Sequence, residues 1–147
     1  SKLSKYLREQ ENNEIITGYC HGDFHQGNIL TNGKNYWILD WENSGEKQIG
    51  YDLFILLLGS RIERGYSDNF ISLLDGKFDS DQVELINNWP EISCNKNIIK
   101  IEYLITFLLE DLYFYIDEYS NDLFYPNKSI LSNRSKELEK ILNKLKL

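Results

Sequence analysis

Methionine is absent from these 147 residues, and proline, cysteine and histidine occur only twice each. Each scarcity excludes something. Two prolines and nine glycines leave little material for long linkers or disordered tracts. Two cysteines, Cys20 and Cys94, make no disulfide framework, so a reducing, cytoplasmic setting is expected. Cys20 is expected as a small buried hydrophobe. Basic residues are outnumbered, 16 against 23 acidic, for a net charge of −7. Such a chain is a poor match to a phosphate backbone, so no nucleic-acid partner is expected. No stretch reads as a membrane span: the most apolar one, 98–116, is broken by Lys100, Glu102, Glu110 and Asp111. The N-terminus lacks the apolar region and the small-residue cleavage site of a signal peptide. The missing methionine leaves two readings of Ser1, a removed initiator or a piece of a longer protein.

Apolar material is plentiful. Hydrophobic residues make up 41% of the chain, with ten Tyr, seven Phe and three Trp, which suits one globular domain. Along the chain, 1–11 reads as the end of a helix and 15–20 as a short strand. Residues 21–28 form a polar loop with two glycines. A β-hairpin then runs from Ile29–Thr31 through an Asn32-Gly33 turn to Tyr36–Leu39. From Ile49 the apolar period becomes helical. Tyr51–Arg64 reads as a helix capped by Gly65, and Asp68 starts a short one ending near Gly76. Ser80 opens another over Asp81–Asn88, closed by Pro90. Ile98–Glu118 is apolar on nearly all sides and is expected to be buried. Ser129–Leu147 is amphipathic, with Leu131, Leu138, Ile141, Leu142 and Leu145 on one face. The expected architecture is α+β and mainly helical, with a small β-hairpin unit joined to a helical body.

The chemistry-bearing residues lie at that junction. His21-Gly22-Asp23-Phe24-His25-Gln26-Gly27-Asn28 has the form His-x-Asp with an Asn five residues after the Asp, and the hairpin then delivers Asp40-Trp41-Glu42. Phosphoryl transfer needs a carboxylate to orient and accept the acceptor hydroxyl's proton. It also needs hard oxygen ligands that hold Mg²⁺ against a triphosphate. Asp23 suits the first task, and Asn28 with Asp40 the second.

These two segments resemble the aminoglycoside phosphotransferase and choline kinase group of the protein-kinase-like superfamily, and the clear likeness covers 19–53. The resemblance implies a kinase-like C-terminal catalytic lobe over 1–147. It implies Asp23 as catalytic base, His21 as the histidine that braces the catalytic loop, and Asn28 and Asp40 as Mg²⁺ and nucleotide ligands. It implies a mainly structural Asp52 in Tyr51-Asp52-Leu53. ATP or GTP with Mg²⁺ would be the nucleotide and metal. Gln26 stands where the family usually has Pro. Gly22 replaces the Arg of protein kinases and no Ala-Pro-Glu segment follows Asp40, so a small-molecule acceptor is expected rather than a protein. A sugar, an aminoglycoside and a choline-like amino-alcohol all remain open. Only twenty residues precede His21, with no Gly-rich loop or strand lysine. The chain is therefore expected to be a C-terminal portion, weak or inactive alone.

Other readings compete. A non-catalytic kinase-like binding module is one. A metal-dependent phosphoesterase is another, weakened because His21 and His25 are the only histidines. His25 is structural or acceptor-side, and Glu42 is a brace or an ion-pair partner. The acidic and aromatic stretch Glu110–Tyr119 is a core stripe with a solvated acidic face, or a lining for a cationic acceptor. The last helix, with Lys128, Arg134, Lys136, Lys140, Lys144 and Lys146, is expected to dock its Leu face on the core and leave the basic face solvated. The competing reading lays it on a membrane.

Overall fold

The computed structural model describes residues 14–61, 66–89, 101–120 and 128–145. Four short strands come first: β1 Thr17–Cys20, β2 Ile29–Thr31, β3 Tyr36–Ile38 and β4 Gly45–Gln48. Five helices follow among the described residues: α1 Tyr51–Leu58, α2 Ser67–Leu74, α3 Ser80–Asn88, α4 Ile101–Ser120 and α5 Lys128–Lys144. The mainly helical α+β architecture expected from the sequence is the one observed. The expected N-terminal helix, Cys94 and Pro90 lie outside the described residues.

The strands form two antiparallel pairs, β1 with β4 and β2 with β3. In the first, Thr17 faces Gln48 and Cys20 faces Gly45; in the second, Ile29 faces Ile38. The β2–β3 loop spans 32–35 and is closed by the Asn32 side chain, whose Oδ1 accepts the Lys34 and Asn35 N–H groups at 3.0 and 2.9 Å. Such self-bonding is what Asn does well in turns.

Helix α1 ends earlier than the sequence suggests. Gly59 takes the left-handed conformation (φ 63°) and its N–H caps Ile55 O, which ends the helix there; Gly65 lies outside the described residues. An αL glycine is a common helix stop. Helix α3 starts with a capping box between Asp79 and Gln82.

The core is built around α1. Tyr51, Leu53, Phe54 and Leu58 are fully buried, with Phe70 of α2, Phe107 of α4 and Ile141 of α5 against them. The Phe107 ring meets Tyr51, Phe54 and Tyr66 at centroid distances of 5.3, 5.6 and 6.4 Å. The α5 face packs inward through Leu138, Ile141 and Leu145, as expected for a docked terminal helix. Helix α4 departs from the all-round burial its composition suggests: Leu109, Tyr113 and Ile116 are exposed. Among the described residues, no helix is long and apolar enough to cross a membrane.

Candidate active site

The loop 21–28 leaves β1 at Cys20, whose buried thiol donates to Gln48 O across the sheet at 3.6 Å. Three anchors then fix the loop. The first is Asp52, in the first turn of α1. Its Oδ2 accepts the His21 N–H at 2.7 Å and its Oδ1 accepts the Gly22 N–H at 2.9 Å. One half-buried carboxylate thus satisfies two consecutive buried backbone donors, which matches the structural part expected of it.

The second anchor is the His21 ring. Nδ1 accepts the Asp23 N–H at 3.2 Å, which places a hydrogen on Nε2, and Nε2 donates to Leu39 O at 2.7 Å. The buried ring packs against Trp41 at 4.7 Å and Phe24 at 5.9 Å. His21 therefore ties the loop to the hairpin strand that ends beside Asp40.

The third anchor was not foreseen. Arg61, just past the α1 cap, sends Nε to Asp23 Oδ1 at 2.6 Å and Nη1 to Asp111 Oδ1 at 2.5 Å. Nη1 also reaches Ser60 Oγ at 3.3 Å, and Nη2 reaches Gly22 O at 3.3 Å and the Tyr51 hydroxyl at 3.4 Å. All five guanidinium hydrogens have an acceptor in reach, and the group lies over the Phe114 ring at 4.2 Å. Burial works against this cation, but Asp111, Tyr51 and Tyr115 outweigh it and push its pKa up. Asp111 is fully buried, and burial raises its pKa while Arg61 and Arg134 pull it down.

Within the loop, Asn28 Nδ2 donates to Asp23 O at 3.0 Å and to Asp23 Oδ2 at 3.2 Å. His25 caps the 3-10 turn Gln26–Asn28: its Nδ1 accepts the Gly27 N–H at 3.1 Å, and its Nε2 lies 3.4 Å from Asp23 Oδ2. A Cβ at Gly27 would sit 2.7 Å from the imidazole Cε1, so a larger residue there would push the His25 ring aside. Gly22 has a stricter reason. Its φ is +87°, and a Cβ would lie 2.1 Å from Asn43 O.

The hairpin brings Asn28 and Asp40 to the same end. Beyond the Ile29–Ile38 pair, Leu39 N–H donates to Asn28 O at 2.9 Å, so the ladder carries one rung past the strands. Asp40 is the next residue. It is the only non-glycine with positive φ among the described residues, at φ 64° and ψ 62°. That conformation costs a non-glycine residue about 1–3 kcal/mol and is typical of functional positions. Asp40 is exposed and gives no side-chain cap to the following turn Trp41–Asn43. Glu42 lies exposed on that turn.

Residues 4–91, more than half of the chain, match the phosphotransferase enzyme family, APH. The chain belongs to that family. No curated protein matches it significantly. The family segment holds the four residues expected to carry the chemistry, His21, Asp23, Asn28 and Asp40, together with Asp52 and Arg61. Asp111, which anchors Arg61, lies beyond it.

The acidic stretch of this phosphotransferase is in part the core stripe expected of it, with Tyr115 buried and Asp117 exposed, but its first two acids turn inward. Asp111 turns inward to Arg61, and Glu110 accepts the Gln48 N–H at 3.1 Å. These two acids are tertiary ties, not a solvated face. Arg134 departs similarly from the solvated basic face expected of α5. Its Nη2 bonds Ser60 O and the Tyr115 hydroxyl, with its guanidinium 4.0 Å from the Tyr115 centroid.

Proposed function

We propose that this phosphotransferase moves the γ-phosphoryl group of ATP or GTP to a hydroxyl of a small molecule. Asp23 is the base, Asn28 and Asp40 are the Mg²⁺ ligands, and His21 braces the loop. The observation that carries this reading is the direct contact between Asp23 and Asn28, with Asp40 one residue past the rung Leu39–Asn28. Base and ligand candidates from separate segments thereby share one end of one hairpin.

The residues suit a hard cation. Asn28 turns its amide nitrogen to Asp23, which leaves the amide oxygen as the free end. The exposed Asp40 carboxylate is the second oxygen donor, and oxygen donors are what Mg²⁺ prefers. Bound Mg²⁺ would neutralise charge on the triphosphate during transfer. The chain's own task is to place the acceptor. Its hydroxyl oxygen forms the new bond to the γ-phosphorus, the bond to the β,γ-bridging oxygen breaks with its electrons going to the nucleoside diphosphate, and the hydroxyl proton passes to Asp23.

A dinuclear phosphoesterase fits less well. Both His21 ring nitrogens are already engaged, by Asp23 N–H and Leu39 O. Among the described residues, no three His, Cys, Asp or Glu side chains group as a metal site.

The test is nucleotide consumption against a panel of hydroxylated metabolites. Asp23→Asn should lose on the order of 10²-fold or more in kcat. Asp40→Ala should lose Mg²⁺-dependent nucleotide binding. Full activity in Asp23→Asn would remove Asp23 as the base, and unchanged binding in Asp40→Ala would remove the metal role of Asp40.

A further inference from the structure

We infer that Arg61 is the positioning residue for the proposed base: anchored on buried Asp111, it fixes which oxygen of Asp23 meets the acceptor. This rests on the phosphotransfer reading above and adds a residue to it.

The two oxygens of Asp23 are held unequally. Oδ1 takes the Arg61 Nε–H at 2.6 Å. Oδ2 has only longer contacts, 3.2 Å to Asn28 Nδ2 and 3.4 Å to His25 Nε2. A short charge-assisted bond pins Oδ1, and Oδ2 is the oxygen left to receive a proton. The same guanidinium holds Gly22 O, so it fixes the backbone before Asp23 as well as the side chain. It is itself immobilised, with a side chain only 9% exposed and its far edge on an Asp111 side chain 1% exposed. The planar fork makes this bridging work; a lysine would carry the charge without the simultaneous contacts. Proton transfer then runs from the acceptor hydroxyl to Oδ2 while Oδ1 stays on Arg61. Arg61 touches no reacting atom.

The experiment compares Arg61→Gln, Arg61→Lys, Asp111→Asn and Asp23→Asn with the unaltered chain. Nucleotide turnover is followed with the acceptor panel and with water as acceptor. Arg61→Gln should lose on the order of 10²-fold in kcat with both KM values unchanged, the scale of a misplaced reacting group. Arg61→Lys should recover part of that loss, and Asp111→Asn should fall between them. A purely structural role would instead move thermal midpoint and KM together with kcat, and would overturn the proposal. Unchanged kcat in both Arg61 variants beside an inactive Asp23→Asn would also overturn it, while leaving the phosphotransferase reading in place. Full activity in Asp23→Asn would remove the base and this proposal with it. A second arm needs no turnover. In ¹⁵N-labelled protein, the Arg61 Nε–H should exchange slowly and its resonance should shift in Asp23→Asn. Fast exchange, or no shift, refutes the contact on which the proposal stands.

Discussion

Asp52→Ala removes one carboxylate and strands two backbone donors. His21 N–H and Gly22 N–H both end on Asp52, at 2.7 and 2.9 Å, and both residues are buried. A buried donor without a partner costs about 1–3 kcal/mol, so two should cost about 4 kcal/mol together. The first turn of α1 also loses an acid, worth about 0.3–1 kcal/mol against the helix dipole. Typical domains are stable by only about 5–15 kcal/mol, so the loss is large. Asp52→Asn keeps one acceptor oxygen and sets an amide N–H against the other donor, so about half the penalty is expected. Urea denaturation followed by tryptophan fluorescence measures this, because Trp41 packs on His21 at 4.7 Å and reports the loop directly. Amide exchange at residues 21 and 22 should accelerate in the same variants. A loss under about 1 kcal/mol in Asp52→Ala, with exchange unchanged, would show that the loop is not held by this carboxylate.

Gly22→Ala should cost more than the about 1–2 kcal/mol of a left-handed non-glycine residue. Its Cβ also meets Asn43 O at 2.1 Å, whereas Gly33 has the same sign of φ and open space, so Gly33→Ala measures the backbone part alone. Equal losses in urea for the two variants would remove the clash from the account. Glu137 on α5 accepts the Ser67 N–H at 2.7 Å; burial opposes its ionisation, but the Ser67 bonds prevail and lower its pKa below the ordinary 4.5. A lowered folded pKa gives stability that is present above 4.5 and lost as pH falls through the folded value, so the gap between the unaltered chain and Glu137→Gln should close on acidification. A pH-independent gap in unfolding free energy would contradict this. Arg134→Ala and Tyr115→Phe both act on Ser60 O, so their stability losses should be non-additive by about 0.5–3 kcal/mol in a double-mutant cycle; simple additivity would mean that the two contacts are independent.

What was legible in the sequence was local. The loop 21–28 and the hairpin leading to Asp40 could be read because turn chemistry and residue spacing sit within a few residues of each other. Strand β4 was missed because Gly-Glu-Lys-Gln carries no apolar alternation; it is a strand only because β1 pairs with it. The end of α1 was misplaced because the sequence reading took Gly65 as the stop, whereas the left-handed backbone that ends the helix is at Gly59. Arg61 was missed because its partners lie 38 and 50 residues away. A signal existed all the same. Asp111 interrupts an apolar helix, and a carboxylate in such a place needs a cation.

That missed pair changes how the site is understood. The groups proposed for chemistry all fall within residues 4–91, the segment shared with the phosphotransferase family. Of the groups that hold them, Asp52 and Arg61 also fall there, but the far supports of Arg61 do not. Asp111 and Tyr115 come from α4 and Arg134 from α5; Asp111 grips Arg61, while Tyr115 and Arg134 grip the carbonyl of Ser60 beside it. Asp23 is thus reached from α4 through a single guanidinium, while α5 holds the residue before Arg61. A loop fixed only by Asp52 and His21 would keep its backbone, because their bonds end on backbone N–H groups and on Leu39 O. It would not fix the carboxylate of Asp23, whose short bond is to Arg61 alone. If Asp23 is the base as proposed, the helical body is part of the site: it would set the orientation of that carboxylate, while the loop and hairpin set its location.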